Sequence, residues 1–449
     1  MIETLLVANR GEVARRVTRT ARRLGMKVVT VHSEADAGAL HVREADESVL
    51  LGPAAPAQSY LDGAAVLEAA LRAGAQAIHP GYGFLAEDAG FAQAVAAAGL
   101  IWVGPSPAAI AAMADKVAAR ERMAAAGVPV AAGSGALASA DAATSAAAQL
   151  GYPLMVKAAA GGGGIGMGVA RDDVSLRAAF TTARARAGRA FGSPDVFVER
   201  YVEGARHVEV QILGLASGAV VALGERDCSV QRRHQKVAEE TPSPGVSPPL
   251  RERMIAMAVR AGLAIDYRGA GTVECLVDPV AQDFFFLEMN TRLQVEHPVT
   301  ELVTGVDIVE QQLRIAAGEA PSVDLAAVVP KGHALELRVY AEDPRRFLPS
   351  PGTITRWVEP VGDGVRVDAG YGEGDTVTPH YDPLLAKLCV WGGDRDEALA
   401  RARAAVAAFV VEGVRTNLPF FGELLGDAGF VSGDYDTGIV AGIVARRAA

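Results

Sequence analysis

Glu288, Asn290 and Arg292 stand at alternate positions in Phe284-Phe285-Phe286-Leu287-Glu288-Met289-Asn290-Thr291-Arg292-Leu293-Gln294-Val295-Glu296-His297-Pro298. Aromatic and apolar residues open this stretch, as in a buried strand, and acidic, amide and basic groups follow where the strand should leave the core. Because side chains alternate across a strand, the three share one face. Upstream, Thr272-Val273-Glu274-Cys275-Leu276-Val277-Asp278 reads as a second strand and Pro279-Val280-Ala281-Gln282-Asp283 as a turn. With those turn residues as the loop, Asp278 pairs with Phe284, and counting back sets Glu274 opposite Glu288. Two facing carboxylates about 5 Å apart destabilise a sheet unless a cation lies between them. Two carboxylates and an amide oxygen are a hard Mg²⁺ or Mn²⁺ ligand set with room left for phosphate oxygens. A salt-bridged pair on an exposed sheet face is the other reading, and the hairpin alone leaves both open.

The elements that must position such a hairpin come from a chain of 449 residues, too long for one core, so two to four domains are expected. Half the residues are hydrophobic and 21% are charged, the balance of a globular enzyme rather than a disordered chain. A net charge of −10 excludes a general nucleic-acid binder, so any basic patch is local. Cys228, Cys275 and Cys389 are isolated, which excludes a disulfide framework or thiolate metal site. Met1 to Ala8 enters a strand without a signal-peptide pattern, and no apolar run approaches the ~20 residues that span a bilayer. A soluble cytoplasmic protein is the expectation.

Residues 1–103 alternate strand and helix, which predicts an open, doubly wound parallel sheet with ligands beyond its carboxyl edge. The strands are Leu5–Ala8, Val28–His32, Ala75–His79 and Leu100–Val103; the helices are Glu12–Leu24, Leu61–Arg72 and Glu87–Ala98. Asn9-Arg10-Gly11-Glu12 and His79-Pro80-Gly81-Tyr82-Gly83-Phe84 fall at that edge, where their glycines read equally as turn residues. Residues 104–130 form a helical connector in which Lys116, by itself, is a solvated surface residue. Residues 131–203 read as a small domain, with strand Pro153–Lys157 running into Gly161-Gly162-Gly163-Gly164-Ile165-Gly166-Met167-Gly168. The run fits neither the dinucleotide pattern, which needs a helix to follow, nor the P-loop, which needs a closing Lys-Ser/Thr. Its entropic cost points to a mobile lid whose amides cover phosphates, with Lys157 at the base. Strand Val196–Val202 follows, then a hairpin of His207–Leu213 with Ala219–Glu225. Arg226 to Lys236 is the one basic cluster, and the prolines after it predict a fixed loop gathering cations around an anion. Residues 204–449 hold the carboxylate hairpin, a helix at Asp307–Ala317 and an α+β end with strands Ala334–Tyr340, Val365–Ala369 and Leu384–Val390 and helices Glu397–Phe409 and Leu418–Leu425. Arg338, the only cation in the first of these strands, pairs with a carboxylate such as Glu336 or is aimed into a site; pairing is the expectation.

These motifs, taken in order with Glu225-Arg226-Asp227-Cys228-Ser229-Val230-Gln231-Arg232-Arg233-His234-Gln235-Lys236 and Tyr381-Asp382-Pro383, resemble the biotin carboxylases over nearly the whole chain. These are the ATP-grasp components of acetyl-CoA and other acyl-CoA carboxylases. The resemblance implies an ATP-grasp fold with a small lid domain and a C-terminal α+β domain. It also implies ATP- and bicarbonate-dependent carboxylation of biotin through carboxyphosphate. By the same resemblance Lys116, Lys157, Gly162, Gly163, Gly164, His207, Gln231 and His234 contact ATP, with Glu199 to Val202 passing the adenine. Glu274, Glu288 and Asn290 hold Mg²⁺ or Mn²⁺. Arg292, Gln294, the Val295 amide and Lys236 bind bicarbonate, Glu296 is the general base, and Tyr82, Gly83 and Arg338 face biotin. The implied partners are a biotin carboxyl carrier protein or domain and a carboxyltransferase, with no nucleic acid and no membrane.

Some positions depart from that family. Ile165 and Gly168 stand where many lids carry arginine. Arg23 replaces an acid and Asp363 an aromatic of the bacterial homodimer, although Arg19 and Arg366 are kept. That puts the homodimer in doubt. No Met-Lys-Met carrier motif occurs, so biotin is expected from another chain or a further domain. A different ATP-grasp ligase forming an acylphosphate would share the lid and metal pair without needing the Arg292 to Glu296 block and Arg338. A non-catalytic nucleotide-binding subunit would not need the acid, base and metal positions filled.

Overall fold

A computed structural model describes residues 2–159 and 167–447. Thr4–Val7 (β1), Lys27–Ser33 (β2), Glu47–Gly52 (β3), Ala77–His79 (β4) and Ile101–Trp102 (β5) form a parallel sheet in the order β3-β2-β1-β4-β5. Leu5 and Val7 pack with Val13 and Val17 of helix Gly11–Arg23 on one face. Leu6 and Ala8 pack with Val66 and Val95 of helices Gly63–Arg72 and Ala89–Ala97 on the other, as double winding requires. β3 was not among the expected strands, because its short apolar run Val49-Leu50-Leu51 follows the charged stretch Arg43 to Glu47, and it sits only partly buried at the sheet edge.

The order reverses between β1 and β4, so Asn9–Glu12 and His79–Phe84 lie side by side at the crevice. Asn9 Nδ2 donates to the carbonyls of Pro80 and Tyr82, both at 2.7 Å. After helices Pro107–Ala114 and Lys116–Ala125, Leu154–Ala158 (β6), Gly168–Ala170 (β7) and Val196–Arg200 (β8) form a three-stranded sheet in the order β7-β6-β8, backed by helices Ala140–Leu150 and Asp173–Phe191. The glycine run from Gly161 to Gly166, with its expected phosphate-covering glycines Gly162, Gly163 and Gly164, lies outside the described residues.

An eight-stranded sheet carries the rest of the molecule. Its strands include Arg206–Gly214 (β9), Val220–Arg232 (β10), Gln235–Thr241 (β11), Gly269–Asp278 (β12), Asp283–Asn290 (β13) and His333–Tyr340 (β14), followed by Leu384–Gly392 and Val365–Ala369 at the far edge. The basic segment Arg226–Lys236 is therefore two paired strands rather than the expected loop. β10 turns into β11 through Arg233 and His234 alone, both with positive φ (51° and 68°), the conformation of a two-residue hairpin turn. The helix Pro248–Leu263, unforeseen behind its run of prolines, covers the apolar face of β9, β10 and β12. Among the described residues, no helix is long and apolar enough to cross a membrane.

Buried histidines make this fold acid-sensitive, His79, His41 and His297 among them. Gly81 N–H donates to His79 Nδ1 (3.0 Å), so the proton sits on Nε2, facing Gln312 Oε1 at 3.2 Å. Burial pushes His79 and His41 down to about 4, so both fold as neutral rings. Unfolded histidine titrates near 6.5, so the unfolded chain binds more protons between these values and stability is lost as the pH is lowered. His79 should contribute a loss of about 3 kcal/mol in urea unfolding stability between pH 6.5 and 4, and His79→Gln should remove that share of the pH dependence.

Candidate active site

The large sheet is two-faced because its strands alternate. In β9, Val208, Val210 and Ile212 enter the core against helix Pro248–Leu263, while His207, Glu209 and Gln211 face the other way. In β12, Val273, Cys275 and Val277 are core and Glu274 faces the cleft; in β14, Leu335, Leu337 and Val339 are core and Glu336 and Arg338 are not. Register then lines up Glu288, Glu274, Glu209 and Arg226 across β13, β12, β9 and β10. Three acids abreast demand cations.

Glu274 does lie opposite Glu288, but by a different route from simple counting. Asp283 begins β13 and pairs with Asp278, one residue earlier than expected. A bulge at Leu287, between the Cys275–Phe286 and Glu274–Glu288 pairs, restores the offset. A second irregularity, at Val237, separates the pairs Val230–Ala238 and Gln231–Lys236. With that extra residue Lys236 and Glu239 face the site together, and Glu240 turns away to His333 and Arg395.

Lys236 is the cation at the centre. Its Nζ donates to Glu209 Oε2 (2.6 Å), Glu274 Oε1 (2.9 Å) and Glu296 Oε1 (2.5 Å). Arg338 donates to the other oxygen of Glu296 at 2.9 Å. Burial would raise the Glu296 carboxyl, but Lys236 and Arg338 outweigh it and hold it below the ordinary range. Burial likewise works against Glu274, and Lys236 and His207 hold it well below its usual value. Arg338 thus has the carboxylate partners expected of a strand-borne arginine. They are chiefly Glu239 and Glu296, however, and Glu336 stands farther off at 4.0 Å.

The other sequence-identified residues gather around this centre. Lys116 is drawn to Glu288 (2.8 Å) instead of standing free in solvent, and Lys157 pairs with Glu199. His207 Nε2 lies 2.7 Å from Glu274, and Gln231 meets its other nitrogen. Arg292 donates to Glu87 (2.8 Å), Gln294 (3.1 Å) and Asn290 (3.2 Å). Gln294 and Asn290 in turn donate to Glu274. Lys116, Lys157, Val202, His234, Val295, Tyr82 and Gly83 line one cleft of about 1470 Å³ with Glu274, Glu288, Lys236 and Arg338. Glu209, Glu239 and Lys387 are also here and were not singled out from the sequence. The first was signalled by the His207-Glu209-Gln211 alternation. Lys387 is fully buried, pairs with Glu12 (3.0 Å) and donates to the Val295 carbonyl (3.0 Å), while Tyr82 donates to Glu12.

The donor set suits a hard divalent cation. Glu274, Glu288 and Asn290 present carboxylate and amide oxygens from facing strands, and Glu288 is open to the cleft. His207, Glu209 and Glu274 also place ligand atoms within 4.8 Å of one another, but Lys236 already neutralises Glu209 and Glu274 there.

Three family models match successive parts of the chain: "Biotin carboxylase, N-terminal domain" over residues 1–110, "Carbamoyl-phosphate synthase L chain, ATP binding domain" over 115–322 and "Biotin carboxylase C-terminal domain" over 336–442. The biotin carboxylase of Halalkalibacterium halodurans is 50% identical over 98% of this chain and 97% of its own. The chain belongs to the biotin carboxylase family. Among solved biotin carboxylases, the βγ-ATP complex from Campylobacter jejuni superposes with a TM-score of 0.96 at 43% identity, covering 98% of this chain and 99% of that one. The biotin carboxylase domain dimer of Hydrogenobacter thermophilus 2-oxoglutarate carboxylase, with MgADP, ADP and bicarbonate, gives 0.95 at 41% identity and covers 99% of each.

Arg23 is satisfied within its own chain by Asp307 (2.8 Å) and Glu310 (2.6 Å), and Arg19 and Arg366 both reach Asp368 at 2.6 Å. Arg226, fully buried, neutralises Glu209 (2.6 Å) and donates to Gln211, Thr300 and Thr272. Arg226→Met should leave Glu209 a half-compensated buried charge and cost about 3–5 kcal/mol, read from urea unfolding.

Proposed function

We propose that this chain carboxylates biotin with ATP and bicarbonate, and that Glu296, gripped between Lys236 and Arg338, is the base that takes the bicarbonate proton. That grip carries the reading: a carboxylate poised as base, one cation on the bicarbonate side and another on the biotin side. Glu274, Glu288 and Asn290 would hold Mg²⁺ or Mn²⁺, which when bound neutralises phosphate charge. Lys116 and Lys157 add positive charge at the phosphates, His207, Gln231 and His234 line the nucleotide, and Glu199 to Val202 pass the base.

Bicarbonate is received by Arg292, Gln294, the Val295 amide and Lys236. As Lys236 turns to the new anion, its hold on Glu296 loosens, and the carboxylate becomes basic enough to take the bicarbonate proton. The bicarbonate oxygen bonds to the γ-phosphorus as the bond to ADP breaks, giving carboxyphosphate. Its breakdown yields CO₂ and phosphate; that phosphate takes the ureido proton of biotin, and the biotin nitrogen bonds to CO₂. Arg338, always charged, stabilises the enolate oxygen that develops, while Tyr82 and Gly83 border the ring. A biotin carboxyl carrier protein or domain brings the biotin and a carboxyltransferase accepts the product. The resemblance to carboxylase components and the absence of a carrier motif in these residues support that assignment.

ATP cleavage should depend on bicarbonate and rise with free biotin; turnover indifferent to both would end this reading. Arg338→Ala should lower N-carboxybiotin formation by about 100-fold or more while bicarbonate-dependent ATP cleavage falls by less than about tenfold. Equal losses in the two assays would refute the role given to Arg338.

A further inference from the structure

Glu239 of β11 and Glu336 of β14 are register partners on the site face of the sheet, and both are buried. Like charges directly opposite each other destabilise a sheet. Arg338, two residues beyond Glu336, is the cation nearest the pair, and its distribution is uneven. It forms an ion pair with Glu239, whereas its Nε stays 4.0 Å from Glu336. Neither oxygen of Glu239 receives a well-aligned hydrogen bond from a described residue, so the Arg338 ion pair is its close compensation, with the charge of Lys236 acting from farther off. Glu336 has one weak neighbour, the Cys389 thiol at 3.5 Å. Burial pushes Glu336 well up, with Lys387 and Arg338 too weak to reverse it. Burial also pushes Glu239 up, to about 7, despite Arg338.

We infer that Glu239 is a positioning residue for Arg338, the charged member of the facing pair, while Glu336 is its protonated, neutral partner. The need for it follows from the reading of Glu296 above, on which this inference rests. Arg338 has two close carboxylates, Glu296 and Glu239. When Glu296 takes the bicarbonate proton its charge disappears, and Glu239 alone then fixes the guanidinium where the biotin enolate forms. The bulge at Val237 is what turns Glu239 to this face, so the same irregularity places Lys236 on one side of Glu296 and the anchor of Arg338 on the other.

The test compares Glu239→Gln, Glu239→Asp and Glu336→Gln in the full chain, with free biotin, ATP and bicarbonate as substrates. Both N-carboxybiotin and ADP are measured. Glu239→Gln should raise the KM for biotin and lower the N-carboxybiotin formed per ADP about fivefold or more, with the KM for ATP within about twofold of the unaltered chain. Glu239→Asp, which retracts the charge by one methylene, should lose coupling to a smaller degree. Glu336→Gln, an isostere of a protonated carboxyl, should leave coupling unchanged. Unchanged coupling in whichever Glu239 variant folds, or loss of ATP cleavage in step with carboxylation, overturns the inference. So does a Glu336→Gln defect equal to that of Glu239→Gln. Failure of the underlying reading would appear separately, as ATP turnover indifferent to bicarbonate in the unaltered chain.

Discussion

One lysine ammonium holds the site together. Lys236 is within hydrogen-bond reach of Glu209, Glu274 and Glu296, which arrive from two strands and a helix start. Burying so many carboxylates costs several kcal/mol apiece unless each is paired and hydrogen-bonded. Lys236, Arg226 and Arg338 provide the pairing, and burial raises the Glu209 carboxyl even with two of them beside it. The polar sheet face is therefore a layer of paired charges in which Lys236 and Arg338 are each shared by more than one carboxylate. An incoming anion competes directly for those cations. In the proposed reaction, binding and activation are one event: whatever draws Lys236 away from Glu296 also restores the basicity of Glu296.

The layer is completed by parts of the chain distant in sequence. The crevice of the N-terminal sheet contributes Tyr82 and Glu12, and the far edge of the large sheet contributes Lys387. The contacts from Tyr82 to Glu12, Glu12 to Lys387 and Lys387 to the Val295 carbonyl then fix the backbone beside Glu296. Glu87, just before helix Ala89–Ala97, fixes Arg292 from the same side. The parallel sheet thus supplies two struts to the residues proposed to meet bicarbonate and biotin, which explains why its crevice loops are tied so firmly by Asn9.

Much of this was legible in the sequence. The alternation in Thr272–Asp278 and the acid–amide–base run after Phe286 located the facing glutamates, because a period of two is a strong local signal. The strand-helix alternation of residues 1–103 gave the doubly wound sheet for the same reason. What failed was local chemistry overridden by tertiary context. The Arg226–Lys236 segment carries no Asn-Gly or Asp-Gly turn and few apolar residues, so its hairpin is visible only once β9 and β14 flank it. Lys116 reads as solvated until Glu288 is brought to it from a strand far along the chain. Arg338 has Glu336 beside it in sequence, yet its nearest acids come from other elements. No sequence rule supplies those distances.

The bulges at Leu287 and Val237 show where the fold's logic and the site's demands diverge. A regular ladder through Asp278 and Asp283 would set Glu274 against Leu287, and a regular β11 would turn Lys236 and Glu240, rather than Lys236 and Glu239, to one face. Each bulge interrupts ladder hydrogen bonding locally. In return, Glu288 meets Glu274, and Glu239 meets Arg338 behind Glu296. Lys236, Asn290, Gln294 and His207 all donate to Glu274, and the placement of Asn290 and Gln294 depends on the first of these bulges. A single inserted residue in each strand thus converts an ordinary amphipathic sheet into one whose acids and bases stand in register with one another, a placement no helix or flexible loop would hold as closely.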